Sequence, residues 1–277
     1  MNLKKIYYKI NYQILRRHYY GITARSRVLP NFLIIGGVRC GTTSLYYDIC
    51  KHPSVEKAAY DEIGFFDDNY HLGTNWYRSM FPTERKMNKI RKKTGFCITG
   101  EDTPFYIWNK NVIERIKNLL PEIKLIVILR NPVDRAYSNY YVSVRGGNEN
   151  RSFKDVIKED IEFINYKKHN NEELTETDFK ESYIAKGLYY DQLVNWFNVF
   201  DKKQICTIFT EDLRDRPEDT MRTIFEFLQL SFFSIKRYEK QKMFDYDDMG
   251  EEIRRELSKY YESSNEQLFE LLKRRCW

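Results

Sequence analysis

Residues 34–44 read IIGGVRCGTTS, an apolar run that breaks into two glycines, an arginine, a third glycine and three hydroxyl residues. This order predicts a buried strand that turns through glycines into the start of a helix. Gly36 and Gly41 have the G-x-x-x-x-G spacing of a nucleotide-triphosphate loop, but Thr42 stands where that loop requires lysine. Free N–H groups at a helix start, with the positive end of its dipole, suit an anionic phosphate, and glycines allow close backbone approach. An ordinary glycine-rich strand-to-helix turn capped by threonine has the same pattern. The loop alone leaves both readings open.

The remaining pattern places the loop in an α/β chain. FLIIG (32–36), FCITG (96–100), KLIVIL (124–129) and ICTIF (205–209) are short and β-branched or aromatic, as buried parallel strands are. Apolar residues at i, i+3, i+4 spacing predict helices over 109–120, 152–166, 188–200, 217–228 and 251–272, the last broken near Ser263-Ser264. The fold class is therefore α/β, a single domain with a central parallel sheet flanked by helices. At 277 residues and 42% apolar the chain buries a large core. We assign 1–29 to a basic N-terminal extension and 30–277 to the domain. The polar stretch 146–186, with HNNEELTETD at its centre, reads as a lid or insertion that shapes a substrate pocket.

Charge is unevenly distributed. The first acidic residue is Asp48, and the eight cations before it exceed the net charge of +6. Interleaved with Tyr7, Tyr8, Tyr12, Tyr19 and Tyr20, this segment reads as a basic helix packed on the domain with one solvated face. Peripheral contact with an anionic surface is the alternative, and no nucleic-acid partner is expected. No apolar stretch approaches the ~20 residues of a membrane span. Five scattered cysteines without C-x-x-C pairs, and no apolar leader with a small-residue cleavage site, lead to the expectation of a cytoplasmic protein.

A second anion-binding signal follows another strand, in LRNPVDRAYSNYY (129–141). Asn131 is a capping residue and Pro132 suits the first helical position, so a helix starts there with Arg130 at the strand's carboxyl end and Ser138 about two turns along. Arg130 and Ser138 converge on one anion in this reading. Ligands of open α/β sheets gather beyond the carboxyl ends of the strands, so both anion sites fall on one edge.

Two phosphate sites without a loop lysine suit a donor with a 5′ anhydride and a separate 3′ phosphate. The chain resembles the sulfotransferases that use 3′-phosphoadenosine 5′-phosphosulfate, in particular the heparan sulfate N- and 3-O-sulfotransferase domains. The resemblance is carried by GGVRCGTTSLY, DEIGFFDDNYHLGTNWYRSMFP, GEDTPFY, LRNPVDRAYSNY, KGLYYDQLVNWFNVF and TEDLRDRPEDTMRTIFEFL. It implies that Arg39, Cys40, Gly41, Thr42, Thr43 and Ser44 form the 5′-phosphosulfate loop and that Arg130 and Ser138 hold the 3′ phosphate. It further implies that Lys240 and Lys242 close over that phosphate and that Glu62 is the catalytic base. Arg39 stands where the family usually has lysine, so its catalytic part is charge stabilisation. Asp61 and Asp102 also stand where relatives carry lysine, which implies an acceptor other than heparan. Adenosine 3′,5′-bisphosphate would be the product, no metal would be needed, and the acceptor would be a carbohydrate or small molecule.

Competing readings remain at this stage. A P-loop kinase or NTPase lacks its lysine here, and the strand at 124–129 ends in Arg130 and not in a magnesium-binding aspartate. A non-catalytic nucleotide binder would keep both anion sites without the base. His52 and Glu101 are alternative bases, and Trp76 and Tyr77 are candidates for lining an acceptor pocket.

Overall fold

The alternating pattern closes into one five-stranded parallel sheet in the computed structural model, which describes residues 20–239 and 248–277. The strands are β1 (Phe32–Ile34), β2 (Val55–Lys57), β3 (Ile98–Asp102), β4 (Lys124–Leu129) and β5 (Ile205–Phe209), in the order β2-β3-β1-β4-β5. β1 is central, with Ile34 in register with Asp102 on one side and Ile126 on the other. Connections leave β1 towards one edge and later cross back to β4 on its other side. Such a divergence opens a crevice at the carboxyl ends of the strands.

Helices cover both faces of the sheet, so its strands are apolar on both sides. Leu33, Leu125, Val127 and Leu129 point into one core with α2 (Gly73–Ser79), α4 (Lys110–Leu119) and α8 (Tyr189–Val199). Phe32, Ile34, Ile126, Ile128 and Ile208 point into the other, with α1 (Thr42–Ile49) and α10 (Pro217–Phe227). α3 (Glu84–Thr94) precedes β3, and its one buried residue is Met87. A third cluster joins α5 (Pro132–Arg145), α6 (Phe153–His169) and α11 (Glu251–Leu272). The insertion is thus a packed layer: Phe153, Ile157 and Ile164 of α6 are buried in that cluster, and α7 (Glu176–Glu181) follows.

Three sequence expectations change. β2 is a fifth strand that periodicity misses, because its three residues VEK form an edge with a single buried side chain. β3 runs two residues beyond the expected end, so Glu101 and Asp102 are strand residues, both fully buried. α11 is one unbroken helix. Leu257, Tyr261, Leu268 and Phe269 keep one buried face through Ser263-Ser264, and tertiary packing of that face outweighs the weak helix preference of serine. Residues 1–19, with most of the basic extension, lie outside the described residues. Arg27, which is described, is tied down by a bond from Nη1 to the Phe81 carbonyl (2.7 Å).

Candidate functional site

Close packing of backbone builds the glycine loop. A Cβ on Gly36 would come within 2.2 Å of the Ile128 nitrogen, so only glycine lets β1 and β4 approach here as the chain turns. Arg39 (φ 68) and Gly41 (φ 92) take left-handed conformations on either side of Cys40. The first intrahelical bond of α1 runs from Leu45 N to Gly41 O (3.0 Å), so the amides of Thr42, Thr43 and Ser44 have no intrahelical acceptor. Strand, loop and helix start occur as expected.

The second stretch is equally close to expectation. Asn131 caps α5 by accepting the Val133 amide (3.0 Å), and Pro132 is the first helical residue. Arg130 Nη1 donates to the Arg39 carbonyl (3.3 Å), and Arg39 Nε donates to Ser138 Oγ (3.2 Å). Side chains expected at separate phosphates therefore touch. Thr210 and Tyr189, which sequence reasoning left without a role, lock the two stretches together. Thr210 Oγ1 reaches the carbonyls of Cys40 (2.6 Å) and Leu129 (3.0 Å), and Tyr189 OH donates to the Arg130 carbonyl (2.9 Å). The available signal was position: Thr210 directly follows the carboxyl end of β5, where α9 (Thr210–Asp215) begins.

One cavity of about 600 Å³ collects Arg39, Gly41, Thr42, Thr43, Ser44, Glu62, Arg130 and Ser138. Glu62 is exposed and, like Arg39, lies at positive φ (48°), an unfavourable backbone for a residue with a side chain. Asp61 lines the same cavity and accepts a short bond from Tyr47 OH (2.6 Å). Asp102 is fully buried; the Thr43 hydroxyl is near it, but neither carboxylate oxygen makes a well-formed hydrogen bond. Burial first, then the charges of Asp61 and Glu62, push its carboxyl up to about 8.

This has a consequence for stability. Folded Asp102 keeps its proton up to about pH 8, whereas an aspartate in the unfolded chain loses it near ~3.9. The folded state binds more protons between those values, so stability falls as pH rises through that window. Asp102→Asn, which has no proton to lose, should abolish most of the parent's loss of stability between about pH 5 and pH 8, a loss that linkage makes about 1.4 kcal/mol per pH unit. Urea unfolding at both pH values measures this. Identical slopes in the two proteins would show that Asp102 is ionised in the fold.

The other candidates separate clearly. Cys40 is buried and its thiol is pushed up to about 11 by burial, which leaves no thiolate nucleophile. His52 is packed against Phe225 and Phe233, with Nε2 on the Ser231 carbonyl and Nδ1 accepting the Ser54 amide, so it is a structural residue. Trp76 and Tyr77 are core residues at 1% and 0% exposure and are not among the residues that line the Glu62 cavity. Lys240 and Lys242 lie outside the described residues. The insertion lines a separate cavity of about 500 Å³, where Lys167, Glu172 and Phe179 meet Trp108 and Gln192. Among the described residues, no cluster of His, Cys, Asp and Glu could hold a metal ion, and no helix is long and apolar enough to cross a membrane.

A sulfotransferase domain model matches residues 29–270. The chain belongs to the sulfotransferase domain family. Among similar proteins, the membrane-associated sulfotransferase kil1 of Dictyostelium discoideum is 28% identical, over 89% of this chain and 66% of its own length. Bifunctional heparan sulfate N-deacetylase/N-sulfotransferase 2 of Homo sapiens is 30% identical, over 80% of this chain and 24% of its own length. This sulfotransferase therefore spans only part of the length of both relatives. A crystal structure of a sulfotransferase from Alicyclobacillus acidocaldarius has the same fold, with a TM-score of 0.67 and 26% identity over 90% of this chain and 98% of that one. Family membership removes the kinase and NTPase reading.

Proposed function

We propose that this sulfotransferase uses 3′-phosphoadenosine 5′-phosphosulfate as donor and acts on a hydroxyl or amine of a carbohydrate or small molecule, with Glu62 as general base. One observation carries the reading: both anion-binding stretches and Glu62 line a single cavity of about 600 Å³. The donor set fits a nucleotide with two anionic ends, since it offers two arginines, hydroxyls and helix-start amides. Its chemistry when bound is to supply an activated sulfuryl group on a phosphate that can depart.

The residues of the chain do the rest. Glu62 takes the acceptor proton as the acceptor's bond to sulfur forms and the bridging sulfur–oxygen bond breaks, the electron pair going to the phosphate oxygen. Arg39 and the amides of residues 42–44 stabilise the charge that grows there. Asp61 and Glu62 on the cavity wall disfavour a polyanionic acceptor. The five cysteines are free thiols, in keeping with a cytoplasmic location.

The donor assignment is tested by affinity. Adenosine 3′,5′-bisphosphate should bind more tightly than adenosine 5′-monophosphate, and Arg130→Ala should remove about 1.5–3 kcal/mol of that preference, the worth of a hydrogen bond to a charged group. Titration calorimetry with both nucleotides reads it directly. Equal affinities in the unmutated protein would exclude the two-site donor.

A further inference from the structure

Glu101 is fully buried, yet three hydroxyls converge on it: Tyr77 OH (2.7 Å) and Tyr106 OH (3.3 Å) at Oε1, and Thr103 Oγ1 (2.9 Å) at Oε2. Two of those hydroxyl oxygens accept backbone amides from the segment that follows Glu62. The Gly64 amide donates to Thr103 Oγ1 (3.2 Å) and the Phe66 amide to Tyr106 OH (3.2 Å). The third, Tyr77, stacks its ring on Phe65 at 4.3 Å between centroids. A hydroxyl has one proton and two lone pairs, so giving the proton to Glu101 turns its lone pairs towards the amides.

The held segment is one that would not keep its shape unaided. Glu62 (φ 48) and Gly64 (φ 61) are both left-handed, and such backbone persists when its surroundings over-determine it. A carboxyl buried beneath it is costly, and an apolar side chain would fill the space at lower cost. Glu101 is fully buried and out of an acceptor's reach, and the same burial pushes its carboxyl up to about 7.

We propose that Glu101 is a positioning residue that fixes the direction of the Thr103 and Tyr106 hydroxyls and thereby holds the Glu62 carboxylate in place for proton abstraction. The proposal rests on the reading of Glu62 as the base. A misplacement of about 1 Å costs up to about 10²-fold in rate, so the effect should appear in the chemical step and not in donor binding.

The test measures single-turnover rates with saturating 3′-phosphoadenosine 5′-phosphosulfate, together with affinity for adenosine 3′,5′-bisphosphate. Thr103→Val should slow the chemical step by about 10-fold or more, up to about 10²-fold, with the bisphosphate affinity within about twofold of the parent. Thr103→Ser should restore the rate, and Tyr106→Phe, which removes the acceptor of the Phe66 amide, should reproduce the loss if Thr103→Val fails to fold. In a Glu62→Gln background, Thr103→Val should cost nothing further, because both act through one carboxylate. A parent-like rate in both Thr103→Val and Tyr106→Phe would overturn the proposal. So would the same fractional loss in the Glu62→Gln background, or bisphosphate affinity falling in step with rate. The two readings fail differently: a fast Glu62→Gln removes the base, whereas a slow Glu62→Gln beside a fast Thr103→Val removes only the positioning.

Discussion

Glu62→Gln is expected to lower turnover by about 10²–10⁴-fold, the range that general base catalysis supplies, while leaving affinity for adenosine 3′,5′-bisphosphate nearly unchanged. The asymmetry follows from where the side chain stands. Glu62 is exposed in the cavity that the anion-binding stretches share, but it contributes no positive charge or donor to them. Glutamine keeps its size and removes only proton acceptance. Single-turnover rates at saturating donor, measured with any acceptor that shows transfer, separate this step from product release. Should Glu62→Gln turn over like the parent, Asp61 is the next base to examine, because it lines the same cavity. Glu101 and His52 are buried by their packing and cannot take that part.

Arg39→Ala should lose both binding and rate. A hydrogen bond to a charged group is worth about 1.5–3 kcal/mol in affinity, and removing a donor to developing charge costs about 10²–10³-fold in the chemical step. Arg39→Lys should retain part of the activity, since lysine keeps the charge but not the fork of donors. Because Arg39 Nε bonds Ser138 and the Arg39 carbonyl receives Arg130 Nη1, its effect should combine non-additively with Arg130→Ala. Bisphosphate titration and single-turnover rates on the two single variants and the double variant measure the coupling. An Arg39→Ala protein with unchanged donor affinity and unchanged rate would place the 5′ anion elsewhere.

Much of the site is local in the chain and so is legible in it. The loop at 34–44, the Asn131-Pro132 cap and the α/β alternation each depend on residues a few positions apart, where spacing alone sets backbone geometry and helix-start amides. The resemblance to sulfotransferases, carried by those same stretches, pointed to the family to which the chain belongs. Edge strand β2 escaped because three residues with one buried side chain leave no period to detect. The unbroken α11 escaped because its continuity comes from a face packed on other helices and not from serine's preference. Glu101 escaped as anything but an alternative base, since its partners come from residues 77, 103 and 106 and act on residues 64 and 66. Thr210 joined the site only when β5 was laid beside β4, bringing its hydroxyl to the Cys40 carbonyl. By itself the sequence determined which groups could bind anions and take a proton. Only the tertiary structure decided which carboxyls are buried and which hydroxyls meet them, because desolvation and hydrogen bonding depend on neighbours far apart in the chain.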